Sequence, residues 1–230
     1  MEVALVTVGD EILSGETTNT NAAWLGQRLR ESGVSVERMT VVPDRIADIA
    51  RVVNEYQAAY DAVIVTGGLG PTPDDVTMQG VAAAYGTELE ADAAVSEWLE
   101  SEKGYSNDDL APETTHIPER ATMLKNPEGV APGCVIDNTY VLPGVPAEMQ
   151  GMFDQVADDF SGDPWYVETV CTPEPESHLL DRITEVQKQY DVTVGSYPGK
   201  NVRLRIEGTD PDIVEDAASW LRERVDLTQA

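Results

Sequence analysis

The sequence predicts an α/β protein in which a mostly parallel sheet is covered by helices on both faces, with a small α+β domain behind it. Three observations support this. Three strand-then-helix units follow one another between Glu2 and Gly86, the order that parallel strands joined by crossover helices produce. The strand of the third unit, Ala62 to Val65, is a short apolar run without polar alternation, as a strand buried on both faces requires. After Ser161-Gly162-Asp163-Pro164 the order changes to strand, helix, two strands and helix. The expected domains are therefore residues 1–162 and 163–230.

The first strand, Glu2 to Val8, ends in Gly9-Asp10-Glu11-Ile12-Leu13-Ser14-Gly15. Asn19-Thr20-Asn21 then offers a cap for a helix with Ala22, Leu25 and Leu29 on one face, stopping at Gly33. Val34 to Val42 alternates as a strand, and after Pro43-Asp44 a helix places Ile46, Ile49, Val53 and Tyr56 at helical spacing. The third helix starts near Val76 and ends near Gly86. Ala91 to Glu102 reads as a helix and Gly104 to Pro118 as an acidic, proline-containing excursion. Short strands follow at Ala121 to Leu124, Cys134 to Ile136 and Tyr140 to Leu142, separated by turns at Asn126 to Gly129 and Ala131 to Gly133. A helix runs from about Ala147 to Phe160. In the second domain a strand covers Tyr166 to Cys171, a helix Pro175 to Tyr190, strands Val192 to Ser196 and Val202 to Glu207, and a last helix Pro211 to Val225.

The chain has 42 Asp and Glu against 15 Lys and Arg, a net charge of -27 over 230 residues. The acids are distributed along the whole chain, and lysine occurs only at Lys103, Lys125, Lys188 and Lys200. Such a surface suits concentrated salt, where repulsion is screened over roughly 3 Å at 1 M. It argues against a general nucleic-acid binder, which needs a basic footprint. No apolar run approaches a membrane span, and the N-terminus opens directly as a strand, so a soluble cytoplasmic protein is expected. Cys134 and Cys171 lack metal-site spacing and read as unpaired small hydrophobes. His116 and His178 are single histidines, and the four tryptophans read as packing residues. Arg203 and Arg205 share one strand face and stand between touching a ligand or partner and, as is commoner in so acidic a chain, pairing with nearby carboxylates.

The segment with the clearest chemistry follows the third strand: Thr66-Gly67-Gly68-Leu69-Gly70-Pro71-Thr72-Pro73-Asp74-Asp75-Val76-Thr77. Its glycines let a ligand approach the main chain, and the order strand, glycine loop, helix N-terminus is an anion-binding arrangement. It is neither a Walker loop nor a dinucleotide fingerprint, because it offers two carboxylates where a lysine or Gly-x-Gly-x-x-Gly would stand. Carboxylates beside a phosphate call for a divalent cation between them, which suggests a nucleotide or phosphorylated pterin as ligand. The alternative is that Asp74 or Asp75 only caps the helix. Strand ends also carry Gly9 to Gly15, Asp44 and Pro143 to Glu148. Ligands collect at such ends in open α/β sheets.

These segments, together with Thr18-Asn19-Thr20-Asn21, Asn126-Pro127, Ala131-Pro132-Gly133 and Leu142-Pro143-Gly144-Val145-Pro146-Ala147-Glu148-Met149, resemble the N-terminal region of the CinA family, within the MoaB/Mog molybdopterin-binding superfamily. Gly195-Ser196-Tyr197-Pro198 and Val202-Arg203-Leu204-Arg205 resemble the KH-like domain that follows it there. The resemblance implies a three-layer α/β sandwich and metal-dependent hydrolysis of ADP-ribose to AMP and ribose 5-phosphate. Relatives bind or adenylate molybdopterin with the same loop and two aspartates, which by motif position are Asp44 and Asp75. The metal, Mg²⁺, Mn²⁺ or Co²⁺, is expected on some of Asp44, Asp74 and Asp75, with Glu11 as base. Substrate contacts are expected from Gly9, Asp10, Thr66, Gly67, Gly68, Gly70, Pro71, Thr72, Thr77, Pro143, Gly144, Val145 and Pro146. Asn19 and Asn21 stand between contacting a ribose or phosphate and capping a helix, and Glu148 between facing the site and occupying its helix's first turn. The other readings are a molybdopterin-binding protein without hydrolase activity and a nucleotide-sensing module. Family members associate, so a homo-oligomer is expected. The family's nicotinamide-mononucleotide deamidase segment has no counterpart in this sequence, and no deamidase activity is expected.

The charge pattern carries a test. Unfolding measured against KCl concentration is expected to show stability rising from low to molar salt; equal stability at both ends would remove the salt-adapted reading.

Overall fold

A computed structural model describes residues 1–105 and 110–227. Residues 106–109 of the acidic excursion lie outside it. The chain forms two compact units, Met1–Gly162 and Asp163–Ala230. In the first, the main elements are β1 (Glu2–Val8), the one-turn α1 (Asp10–Leu13), α2 (Thr20–Glu31), β2 (Ser35–Val42), α3 (Ile46–Ala59), β3 (Ala62–Gly67), α4 (Thr77–Ala84), β4 (Leu89–Ala91), α5 (Ala93–Trp98), β5 (His116–Pro118), β6 (Thr122–Leu124), β7 (Gly133–Ile136), β8 (Thr139–Pro143) and α6 (Pro146–Val156).

Six strands form one sheet in the order β2-β1-β3-β8-β7-β6. β1 lies parallel to β2 and β3, and β3 parallel to β8; β7 runs antiparallel to both β8 and β6. The unbroken apolar runs of β1 and β3 follow from burial on both faces. Val6, Val8, Val63 and Val65 pack with Ile49, Val52 and Val53 of α3 and Met78 and Val81 of α4. Val3, Leu5, Ala62 and Ile64 pack with Leu25 and Leu29 of α2 and Met149, Met152 and Phe153 of α6. Alternate residues of one strand thus serve two helix layers. Gly80 inside α4 has a packing reason: a Cβ there would stand 2.5 Å from Ile49 Cβ, so its absence lets α3 and α4 close up.

The sequence reading needs several corrections. Neither Asp74 nor Asp75 caps α4, whose N-cap is Val76 with no side-chain hydrogen bond. The Ala91–Glu102 helix begins at Ala93, and beyond Trp98 it widens into a π turn over Leu99–Lys103. Antiparallel β4 and β5 were not anticipated, because three residues are too few to show a period. Cys134 is buried as expected, its thiol pushed up to about 12 by desolvation, but Cys171 is exposed. Trp165 is exposed as well, whereas Trp98 and Trp220 are buried.

The second unit contains β9 (Tyr166–Thr172), α7 (Leu180–Gln189), β10 (Thr193–Tyr197), β11 (Val202–Gly208) and α8 (Pro211–Arg222). Its sheet is antiparallel in the order β10-β11-β9. Val202, Leu204 and Ile206 of β11 pack against Val186 of α7 and Val214, Ala217 and Leu221 of α8. α7 starts later than expected because a 3₁₀ turn occupies Glu176–His178. The Glu174 carboxylate receives both terminal nitrogens of Arg182, at 2.9 and 2.5 Å, and the Asp226 N–H at 2.7 Å, which ties the chain beyond α8 to the start of the α7 segment.

The Arg182 hydrogen bonds, with the Asp226 amide, lower the Glu174 pKa to about 2, against about 4.3 in an unfolded chain. A depressed folded pKa stabilises above the unfolded value, and that contribution fades as pH falls from about 4.3 toward 2. Glu174→Gln is expected to lower the urea midpoint of the β9–β11 amides at pH 6, by an amount on the order of 1 kcal/mol. The gap from wild type is expected to close below pH 3. A gap independent of pH would show that the ion pair contributes nothing specific.

Candidate functional site

β1, β2, β3 and β8 end at one level: Val8 lies beside Val42, and Gly67 beside Pro143. The sheet order reverses between β1 and β3, since β2 lies on one side of β1 and the later strands on the other. That is where an α/β sheet opens a crevice beyond its strand ends. A cavity of about 480 Å³ occupies the position, lined by Val8, Glu11, Asp44, Gly67–Asp75 except Thr72 and Pro73, Val130, Ala131, Pro143–Val145 and Glu148. A smaller cavity of about 100 Å³ adjoins through the shared residues Val8, Glu11 and Gly144, and collects Thr7, Asn19, Asn21, Thr66 and Pro146.

The glycine loop is shaped by contacts that exclude side chains. A Cβ on Gly67 would run into Val8 and the Thr77 hydroxyl, and one on Gly68 into the Asp75 carboxylate. Asp75 folds back along the loop, accepting the Thr72 N–H at 3.3 Å and a short hydrogen bond from the Thr72 hydroxyl. Asp44 makes a similar closure between strands, with Oδ2 accepting the Asp10 N–H at 2.8 Å. Each of these aspartates retains one oxygen that accepts no hydrogen bond among the described residues. Asp74 is exposed at the same cavity, and Glu11 curls over Gly9.

The opposite wall is organised by Asn126, which is fully buried. Its Oδ1 accepts from the amides of Glu128 (3.2 Å) and Gly129 (2.7 Å), while Nδ2 donates to the Ala131 carbonyl (2.9 Å) and Glu148 Oε2 (2.7 Å). One side chain therefore holds the 126–131 loop and aims Glu148 at the cavity. The spacing showed only a turn here; four saturated hydrogen bonds on one amide leave no trace in composition. Val8 and Val130 also line the cavity without having been anticipated.

Other anticipated residues serve the frame. Asn19 is a cap, with Oδ1 accepting from Ala22 N–H and Nδ2 donating to Thr7. Asn21 donates to the Gly144 carbonyl at 2.7 Å, pinning α2 to the β8 end. Thr77 is buried beneath the loop, and Asp10 and Thr72 line neither cavity. Neither His116 nor His178 is among the residues that line these cavities.

Five carboxylates, Glu11, Asp44, Asp74, Asp75 and Glu148, line the larger cavity, and no Lys or Arg does so among the described residues. An anionic ligand alone would be repelled. Among the described residues no three acidic, His or Cys side chains form a group that could hold a metal by themselves. The reason is visible in Asp44 and Asp75, each partly committed to a protein donor. What remains, the exposed Asp74 carboxylate and the second oxygens of Asp44 and Asp75 at a polar cavity, fits a hard cation that completes its coordination with water and phosphate oxygens.

With this geometry in view, residues 4–161 match the family described as probable molybdopterin binding domain. A CinA-like protein of Citrifermentans bemidjiense is 35% identical over 98% of this chain, which spans 58% of that protein. The chain belongs to the CinA-like proteins that carry this domain. A crystal structure of the protein CinA from Thermoplasma acidophilum is similar over 69% of this chain and 97% of that one, with 36% identity and a TM-score of 0.64. A protein of Archaeoglobus fulgidus is 36% identical over 97% of both chains. Residues 164–229 match the family described as FAD synthase, middle domain. No helix among the described residues is long and apolar enough to cross a membrane.

Asn126→Asp keeps the acceptor for Glu128 and Gly129 but sets a carboxylate against Glu148 and the Ala131 carbonyl. It is expected to cost about 2 to 4 kcal/mol at pH 7 in urea unfolding. The penalty is expected to shrink below about pH 5, where one of the paired carboxyls protonates. A penalty unchanged with pH would show that Glu148 does not face this amide.

Proposed function

We propose that the first unit of this CinA-like protein hydrolyses the pyrophosphate bond of ADP-ribose with a divalent cation. The observation that carries the reading is a cavity of nucleotide size lined by carboxylates and glycine main chain, with no basic side chain among the described residues. Such a site suits a phosphorylated ligand that arrives with a cation. The choice of ADP-ribose rests on the motif resemblance to the CinA family.

Asp74 and the unoccupied oxygens of Asp44 and Asp75 are the groups that would hold the cation, which would supply charge neutralisation at the pyrophosphate. Main-chain amides of the Gly67–Gly70 segment meet the phosphate oxygens and stabilise charge as it develops. Glu11, exposed beside the cavity, takes the proton of the attacking water. Oxygen attacks one phosphorus, the bridging P–O bond breaks, and the products are AMP and ribose 5-phosphate. The second reading, molybdopterin binding without hydrolysis, is favoured by the family description of residues 4–161.

The test is product analysis in molar KCl with ADP-ribose and Mg²⁺, Mn²⁺ or Co²⁺. Metal-dependent AMP is expected, and Asp75→Asn, which retains an acceptor for Thr72, is expected to reduce it by about 100-fold or more. Binding of ADP-ribose without AMP release would replace hydrolysis with a carrier or sensor role.

A further inference from the structure

The second unit contains a surface of opposite character. From Val192 to Ile206 the chain carries no acid and three cations, Lys200, Arg203 and Arg205, within a protein of net charge -27. β11 is the central strand of its sheet, with Val202, Leu204 and Ile206 directed into the core, so Arg203 and Arg205 stand on the uncovered face. The register fixes their neighbours: Arg203 lies between Tyr197 and Cys171, and Arg205 between Gly195 and Thr169. Thr169, Tyr197, Arg203 and Arg205 line a cavity of about 260 Å³ on this face.

Three features separate this cavity from an ordinary solvated sheet face. First, other arginines of the unit are paired: Arg182 with Glu174, Arg222 with Glu168 and Glu215, and Arg224 with Glu223. Arg203 has no ion pair or hydrogen bond among the described residues. Second, Arg205 is held through Nε by Glu207 at 2.6 Å, which orients the guanidinium and leaves its terminal nitrogens available. Third, a Cβ on Gly195 would stand 3.0 Å from the Tyr197 ring, which therefore leans over the glycine and presents a flat aromatic surface, 46% exposed, beside the guanidinium groups.

We propose that this face binds a mononucleotide-type ligand, with the phosphate on Arg203 and Arg205 and the base on Tyr197. Guanidinium groups match phosphate geometry, and a tyrosine ring stacks on a planar base. The volume suits a small ligand, and three cations in so acidic a chain cannot neutralise a polynucleotide backbone. The site is independent of the pyrophosphatase reading, since it uses none of the residues of the first unit.

The experiment is a ¹⁵N NMR titration of the full chain with AMP, in KCl buffer in which it is folded, with inorganic phosphate and a single-stranded oligonucleotide in parallel. Amide shifts are expected at Thr169, Tyr197, Arg203 and Arg205, with Kd of about 0.1 to 1 mM. Arg203→Gln and Tyr197→Ala are expected to weaken these shifts about 10-fold while the dispersion of β9–β11 persists; shifts around Gly67–Asp75, read separately, report the first unit. The proposal is overturned if AMP moves none of the β9–β11 amides, or if Arg203→Gln leaves the shifts intact. It also fails if phosphate alone binds as tightly, which would leave a plain anion patch, or if the oligonucleotide binds more tightly than AMP.

Discussion

β1 is hydrogen-bonded on both edges to parallel strands and buried on both faces, and the site depends on that one constraint. Strands in parallel register, connected by helices that must return across the sheet, deliver their C-terminal ends to the same side. Gly9, Asp44, Gly67 and Pro143 are brought together by this topology although they are spread over more than half the chain. The Gly9 N–H donating to the Val42 carbonyl at 3.1 Å and the Asp10 N–H to Asp44 extend the strand pairing just past its end, so the loops inherit the order of the sheet. Burial on both faces makes a register slip costly, because every side chain of β1 and β3 would change layer.

The carboxylates at this edge do two jobs. Asp44 and Asp75 close loops with one oxygen and leave the other toward the cavity. A carboxylate used in this way is oriented before any ligand arrives, which reduces the ordering cost of binding. The same commitment explains why these acids do not converge into a protein-only metal cage. Asn126 gives the facing wall equivalent rigidity through a single amide with all four of its hydrogen-bonding positions filled.

Parallel β1, β2 and β3, their helices and the crevice edge were legible because long apolar periods and glycine clusters carry strong local signals. The glycine loop was legible for the same reason, as were the aspartates after β2 and β3. What stayed hidden depends on contacts between distant segments. Nothing in Asp74-Asp75 shows that Asp75 turns back to Thr72 while Val76 takes the cap position. Nothing in Asn126-Pro127 shows an amide bridging to Glu148, 22 residues away. β4 and β5 are too short to declare a period. Arg203 and Arg205 were correctly placed on one face, yet abundant acid did not pair both: only Arg205 has its carboxylate, from the neighbouring Glu207 two residues along the same face.

The two proposed sites would meet phosphate chemistry with opposite electrostatics. The first surrounds its cavity with negative charge, so affinity for an anion there must come through a cation shared between protein and ligand. The second exposes guanidinium groups that need no such intermediary. In molar salt, with screening over roughly 3 Å, neither can rely on attraction from a distance, and the surrounding net charge of -27 loses most of its reach. Recognition at the two proposed sites would then belong to groups in direct contact with the ligand: glycine amides and fixed carboxylates in one unit, a guanidinium fork and an aromatic ring in the other. That condition makes the orientation of each contact group, set by Thr72, Asp10, Asn126, Gly195 and Glu207, matter more than the number of charges nearby.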